Sequence, residues 1–218
     1  MHADLNSFSM ISSHLADEDA TAYHEAGHAV VGAVRGRAPI FVTIIRDGCA
    51  YGKNEFPEDW PPEFKNHFGD SPEKRAYIET RILTSVAGTV AHDLRFPDRA
   101  HDAGDAYDER SARAIIEDHA GWADSDRDSY FQQLQETARS ILQTNWHWVE
   151  AVVRALIERK TIFTAEVMKT LYIVHFRSLT SSAKRQRHPT HAEKTISAHH
   201  RIAPPARFAL DGSASRLK

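Results

Sequence analysis

Cysteine is almost missing from these 218 residues. Cys49 stands alone, so no disulfide can form within the chain and no thiolate cluster can hold a metal. Long apolar runs are missing too: no stretch approaches the roughly 18 residues that a membrane-spanning helix needs. The first residues show no basic segment followed by an apolar core, so no secretory leader is expected. The phosphate-cradling pattern G-x-x-x-x-G-K-[ST] does not occur, because Gly52-Lys53 is followed by Asn54 and Asp47 stands where the first glycine would be. These absences lead to the expectation of a soluble, cytoplasmic protein that carries no nucleotide motor of its own.

Net charge is small at −3, yet it hides a division. From Thr180 to Lys218 there are eight Lys and Arg against two acids, whereas the rest of the chain holds 19 basic and 28 acidic residues. Pro189, Pro204 and Pro205 would break any helix in the basic part. Residues 179–218 are therefore expected to be a disordered, solvated tail rather than a nucleic-acid-binding surface.

What the chain does have is His24-Glu25-Ala26-Gly27-His28, within an amphipathic stretch expected to be helical from Asp19 to Val34, with Asp19 or Thr21 as its cap. Residues four apart on a helix point the same way, about 6 Å apart along the axis, so His24 and His28 can offer two ring nitrogens to one metal ion. Glu25 lies one step round, placed to take a proton from a metal-bound water but poorly placed to be a third ligand. This is the donor set of a zinc hydrolase. Gly27 costs about 1 kcal/mol relative to alanine inside a helix, which is tolerated where another backbone or a metal site crowds in.

The rest of the chain reads as mainly helical with one small β element. Residues 1–17 are expected to be a polar arm and residues 18–178 one domain. Gly36 and Pro39 should stop the first helix; Ile40–Arg46, rich in β-branched residues, reads as a strand, Asp47-Gly48 as a turn, and Cys49–Tyr51 as a short return strand. Lys53–Pro72, with four prolines, reads as a loop. Ile78, Ile82, Val86 and Val90 recur at four-residue steps and predict a helix over Glu73–Leu94. A polar connection, Phe96–Tyr107, precedes a helix starting near Asp108. The apolar set from Phe131 to Leu156 predicts one long helix or two meeting near Asn145, and Thr164 is expected to cap a last helix ending near Tyr172.

Catalytic zinc usually takes three protein ligands and keeps one open position. An elongated motif would need glycine and histidine where Val31 and Val34 stand, so the third ligand must come from farther along. Glu79, His92, Asp93, His101, Asp102, Asp105, Asp108 and Glu117 are all candidates, and spacing does not choose among them.

A resemblance does choose. The run Thr21 to Val31 around the two histidines resembles the zinc motif of the FtsH-type proteases, the membrane-anchored AAA zinc peptidases. Val42-Thr43-Ile44-Ile45, Ala87-Gly88-Thr89-Val90-Ala91, Gly104 with Asp108, and Asn145 to Val167 resemble later segments of that family in the same order, so the likeness covers roughly residues 20–172. It implies a zincin-like α+β peptidase domain, mainly α-helical, with a small β-hairpin or sheet beside the metal-binding helix. It further implies one Zn2+ on His24, His28 and Asp108, with Asp105 as second choice for the third position, and Glu25 as general base.

The implied activity is that of a metalloendopeptidase acting on unfolded or extended polypeptide, with strand Ile40–Arg46 offering its edge to the substrate. Two departures stand out. The family's ATPase module is not expected in this chain, and a separate ATPase acting in trans is the expected partner. His92 stands where the family has a glutamate implied to hold a zinc-ligand histidine in its tautomer, and Asp93 next door is the candidate substitute. These departures keep a catalytically inactive peptidase-fold adaptor as the alternative function; the retained Glu25 speaks for the enzyme. Oligomeric state is not legible.

Overall fold

Small residues decide how the two central helices meet. Helix α1 (Leu5–Val34) and helix α2 (Pro72–Arg95) bury Ala22, Ala26, Ala29, Ala87 and Ala91 in a common core. At Gly27 the approach is closest: a Cβ there would lie 2.4 Å from the Ala87 carbonyl oxygen and 2.6 Å from the Ala91 Cβ. The missing side chain is what lets the backbones touch. The computed structural model describes residues 5–48, 51–57, 71–101, 103–119 and 127–174, all within Met1–Phe176, the first of two units into which the chain divides. The basic stretch from residue 179, Cys49, Asp102 and residues 58–70 of the proline-containing segment lie outside the described residues.

Helix α1 is longer than the sequence indicates. It begins at Leu5, so residues 5–17 continue the helix instead of forming a separate arm. Thr21 is therefore not a cap: its hydroxyl donates back to the Asp17 carbonyl at 2.9 Å, the bond a mid-helix threonine makes when no cap is needed. The far end matches expectation. Gly36, at φ 81°, turns the chain, and Arg37 N–H reaches back to the Gly32 carbonyl at 2.7 Å.

Helix α2 starts as capping chemistry dictates. Ser71 Oγ accepts from Lys74 N–H at 3.2 Å and Pro72 occupies the first turn. Its stripe of Ile78, Ile82, Val86 and Val90 is buried, together with Leu83. Helix α3 (Ala103–Asp118) begins five residues before the expected start, which puts Asp105 in its first turn, where a carboxylate suits the helix dipole. Helices α4 (Arg127–Thr144) and α5 (Trp146–Arg159) are two, broken at Asn145, whose side-chain amide donates to the Ile141 carbonyl at 2.8 Å. Trp146 stacks on Tyr23 of α1 at 5.7 Å between centroids, which pins α5 to the metal-motif helix.

The β element differs from expectation. Strand β1 (Phe41–Thr43) is paired antiparallel on both sides, with β2 (Lys53–Glu55) and β3 (Thr161–Phe163), in the order β2-β1-β3. The described strand on this side of β1 is Lys53–Glu55, while Cys49 and Ala50 of the expected return strand Cys49–Tyr51 lie outside the described residues; β1 is interior, so its edge cannot serve an incoming peptide. Val42 pairs with Asn54 on one side and Ile162 on the other. Directly opposed residues share a face; since Val42 and Ile162 are fully buried, Asn54 also turns inward, toward α1. A helix over 164–174 follows β3 directly. Thr164 does not cap it through its own hydroxyl, which donates to the Pro39 carbonyl at 2.7 Å; Glu166 accepts from Phe163 N–H at 3.0 Å instead. The described chain is α+β, with six helices and one three-stranded sheet.

Candidate metal centre

One turn of α1 and the second turn of α3 bring three lone-pair atoms together. His24 Nε2 and His28 Nε2 are 3.1 Å apart. Asp108 Oδ2 lies 2.9 Å from the first and 3.0 Å from the second. All three fall within a 4.8 Å group of potential ligand atoms, and among the described residues no other such group of three occurs. A tetrahedral zinc with bonds of about 2.0–2.1 Å has ligand–ligand edges of about 3.3 Å. The observed triangle is slightly tighter and of the right shape.

The outward nitrogens fix what these atoms are. His28 Nδ1 lies 2.6 Å from the Thr84 carbonyl oxygen, which can only accept, so Nδ1 carries the proton and Nε2 the lone pair. His24 Nδ1 lies 3.2 Å from Asp105 Oδ1, an ion-pair distance outside hydrogen-bond geometry, and the carboxylate's charge favours a proton on that nitrogen. Two imidazole lone pairs and a carboxylate oxygen then face one another. Asp108 Oδ2 is buried without a hydrogen bond of acceptable geometry. Such a cluster needs a cation or extra protons at its centre. Without an ion, burial opposes charging the rings. The Asp105 and Asp108 carboxylates outweigh it at His24, and Asp108 outweighs it at His28, so both rings sit above the ordinary 6.5. Burial opposes ionising Asp108, yet the two histidines hold its carboxyl far below the ordinary range.

Space at the centre is kept open by Gly88 on α2. A Cβ there would stand 2.3 Å from His28 Nε2 and 2.6 Å from His24 Nε2, in the volume an ion would need. The donor set, the tautomers and this cradle fit a zinc ion.

Glu25 is buried at 6% exposure. Burial raises the proton affinity of its carboxyl, while the two histidines and Asn54 oppose the shift. The Asn54 amide donates to Glu25 Oε2 at 2.5 Å and to the Glu25 carbonyl at 2.9 Å, fixing the carboxylate from β2. Asn54 was invisible in the sequence, where its segment reads as a loop; only the register opposite Val42 points it inward. The centre opens on a cleft of about 910 Å³ whose wall includes Tyr51, Gly52, Asn54, Phe56, Tyr107 and Ile115.

The remaining candidates lie elsewhere or play other parts. Glu79 accepts from the Tyr130 hydroxyl at 3.3 Å and Glu117 pairs with Arg127 at 3.6 Å. Asp93 pairs with His101 at 2.7 Å near the surface, so it is not the substitute for the absent glutamate. Asp105 approaches His24 from the Nδ1 side, away from the three converging atoms, and His92 Nδ1 lies 3.5 Å from Asp105 Oδ2.

Comparison with known proteins gives a consistent direction. The chain is 27% identical over 167 residues to the ATP-dependent zinc metalloprotease FtsH of Haemophilus influenzae, covering 69% of this chain and 25% of that protein. It is 27% identical over 163 residues to the ATP-dependent zinc metalloprotease FTSH 5, chloroplastic, of Arabidopsis thaliana, covering 68% and 22%. Over 85 residues it is 39% identical to FtsH of Pelobacter propionicus, covering 38% and 12%. The chain is a distant relative of FtsH. It spans a quarter or less of the length of these zinc metalloproteases. No protein-family model matches it. None of the described helices is long and apolar enough to cross a membrane.

Proposed function

We propose that this chain is a zinc-dependent endopeptidase domain of zincin-like build, with His24, His28 and Asp108 holding the ion and Glu25 acting as general base. The observation that carries the reading is the convergence of three lone-pair atoms about 3 Å apart, with both histidine tautomers set to present them, beside a buried carboxylate held by Asn54. When bound, zinc would supply a Lewis acid for the scissile carbonyl and lower the pKa of a water toward neutrality.

The protein's own residues do the rest. Glu25, its proton affinity raised by burial, would take a proton from the attacking water and return it to the departing amine. Asn54 keeps the carboxylate from swinging out of reach. Gly88 leaves room beside the two rings. An extended polypeptide would add to the outer edge of β2, which among the described residues has no strand partner and runs through Asn54 beside Glu25. An ATPase feeding that cleft in trans belongs to the same proposal.

The alternative, an inactive adaptor, has no use for a buried base tied down by a neighbouring strand. Hydrolysis of casein or a quenched peptide library, with and without chelator, separates the two. Glu25→Gln is expected to keep stoichiometric zinc and lose at least 100-fold in kcat; activity retained in that variant would defeat the mechanism. Asp108→Ala is expected to weaken zinc binding severely, and unchanged affinity would remove Asp108 from the centre.

A further inference from the structure

Asp105 is a buried acid that the proposed mechanism does not use. It is 3% exposed, in the first turn of α3. One carboxylate oxygen lies 3.2 Å from His24 Nδ1 and the other 3.5 Å from His92 Nδ1 on α2. His92 is itself 4% exposed, so the carboxylate is sandwiched between a buried imidazole and the partly buried ring of His24, from different helices. A carboxylate inside a protein core is costly unless it is engaged.

We propose that Asp105 is a positioning residue for the metal centre. It fixes the His24 ring so that Nε2 presents its lone pair, and His92 braces Asp105 from the opposite side. This inference rests on the zinc reading above, but it concerns how tightly the ion is held rather than what the ion does.

The geometry gives the reason for each part. An imidazole has two tautomers, and only one leaves Nε2 free to bind a metal; an acceptor at Nδ1 selects it and also stops the ring from turning. Thr84 of α2 does the equivalent for His28 through its backbone carbonyl. His24 depends on a side chain, so its support can be removed by substitution where that of His28 cannot.

The test is zinc affinity, measured on the full chain by competition with a chromophoric chelator. The wild type is compared with Asp105→Asn, which can still accept from Nδ1–H but lacks the charge, and with Asp105→Ala, which can do neither. Zinc binding should weaken 10–100-fold in Asp105→Ala and by less in Asp105→Asn. His92→Leu should weaken it several-fold, the smaller effect of a residue acting through another.

Circular dichroism of the metal-free variants separates loss of positioning from loss of fold. The His24 Nδ1 proton adds a direct readout: in the zinc-loaded wild type its NMR resonance should be sharp and slow to exchange, and it should broaden or vanish in Asp105→Ala. Variants that fold and bind zinc within twofold of the wild type would overturn the role of Asp105; His92→Leu alone doing so would remove His92 from the arrangement. A wild-type chain that takes up no zinc would instead sink the metal reading, and this inference with it.

Discussion

Gly88 is the residue at which one methyl group would decide the chemistry. Alanine is the better helix former by about 1 kcal/mol, so Gly88→Ala should leave helix α2 intact or firmer. The added carbon would nevertheless sit 2.3 Å from His28 Nε2, inside contact distance of both proposed ligand atoms. The expected outcome is a folded protein that has lost zinc binding by 100-fold or more, read by metal analysis alongside circular dichroism. Full zinc content in a folded Gly88→Ala protein would mean that the ion does not lie against α2. The same residue shows how little the side-chain alphabet announces: a glycine amid Ala87, Thr89 and Ala91 reads as helix packing, and its part emerges only from the two nitrogens facing it.

At the level of elements, the crossing of α1 and α2 carries the site. Gly27→Ala would place its Cβ 2.4 Å from a backbone oxygen, which cannot rotate away as a flexible side chain could. Overpacking of this kind costs about 1–3 kcal/mol, more than the helix-propensity gain of about 1 kcal/mol. A net destabilisation of up to about 2 kcal/mol is expected, seen as a lower Tm in the metal-free protein; an unchanged or higher Tm would show that the helices can move apart freely.

The helical elements were legible because each repeats a buried stripe over several turns. Ile78 to Val90 announced α2, and Asn145 lay where α4 and α5 part. The strands were not. Lys53-Asn54-Glu55 has no β-branched residue, and Thr161-Ile162-Phe163 is three residues wedged between two helices; both exist because Val42 needs partners on either side. The start of α3 was missed because Gly104 and two nearby aspartates look like a loop when Asp105 is not known to be buried. The histidines and Glu25 were readable from i, i+4 spacing, and Asp108 only through a likeness to other proteins. Asp105 and Asn54 act through pairings that no local pattern records.

For the whole molecule, an ion held by His28 and Asp108 would tie α1 to α3 across 80 residues of chain. A ligand that binds only the folded form adds about 2.7 kcal/mol of stability at a concentration 100 times its Kd. Chelation should therefore lower Tm by several degrees, and hydrogen exchange should loosen in α3 before α2.

The pH dependence should reverse with the metal. In the metal-free chain, His24 and His28 have folded pKa values raised above 6.5. Their contribution is complete below that pH and is lost as pH rises through the raised values. Glu25, raised from 4.5 by burial, adds to the loss on the alkaline side. Asp108, lowered from 3.8, contributes above that value and fails only in stronger acid. Metal-free protein should thus melt at a higher temperature at pH 5.5 than at pH 8.5. Zinc-loaded protein should show the opposite order, because protons compete with the ion for the same nitrogens. Slopes of the same sign in both forms would contradict the assigned centre.

With a lone cysteine, the polypeptide has no covalent fastener inside it, and the ion would be the nearest substitute. Copies made during metal scarcity would be loosely pegged, easy prey for proteolysis. Cellular abundance would then follow the zinc supply without any dedicated sensor.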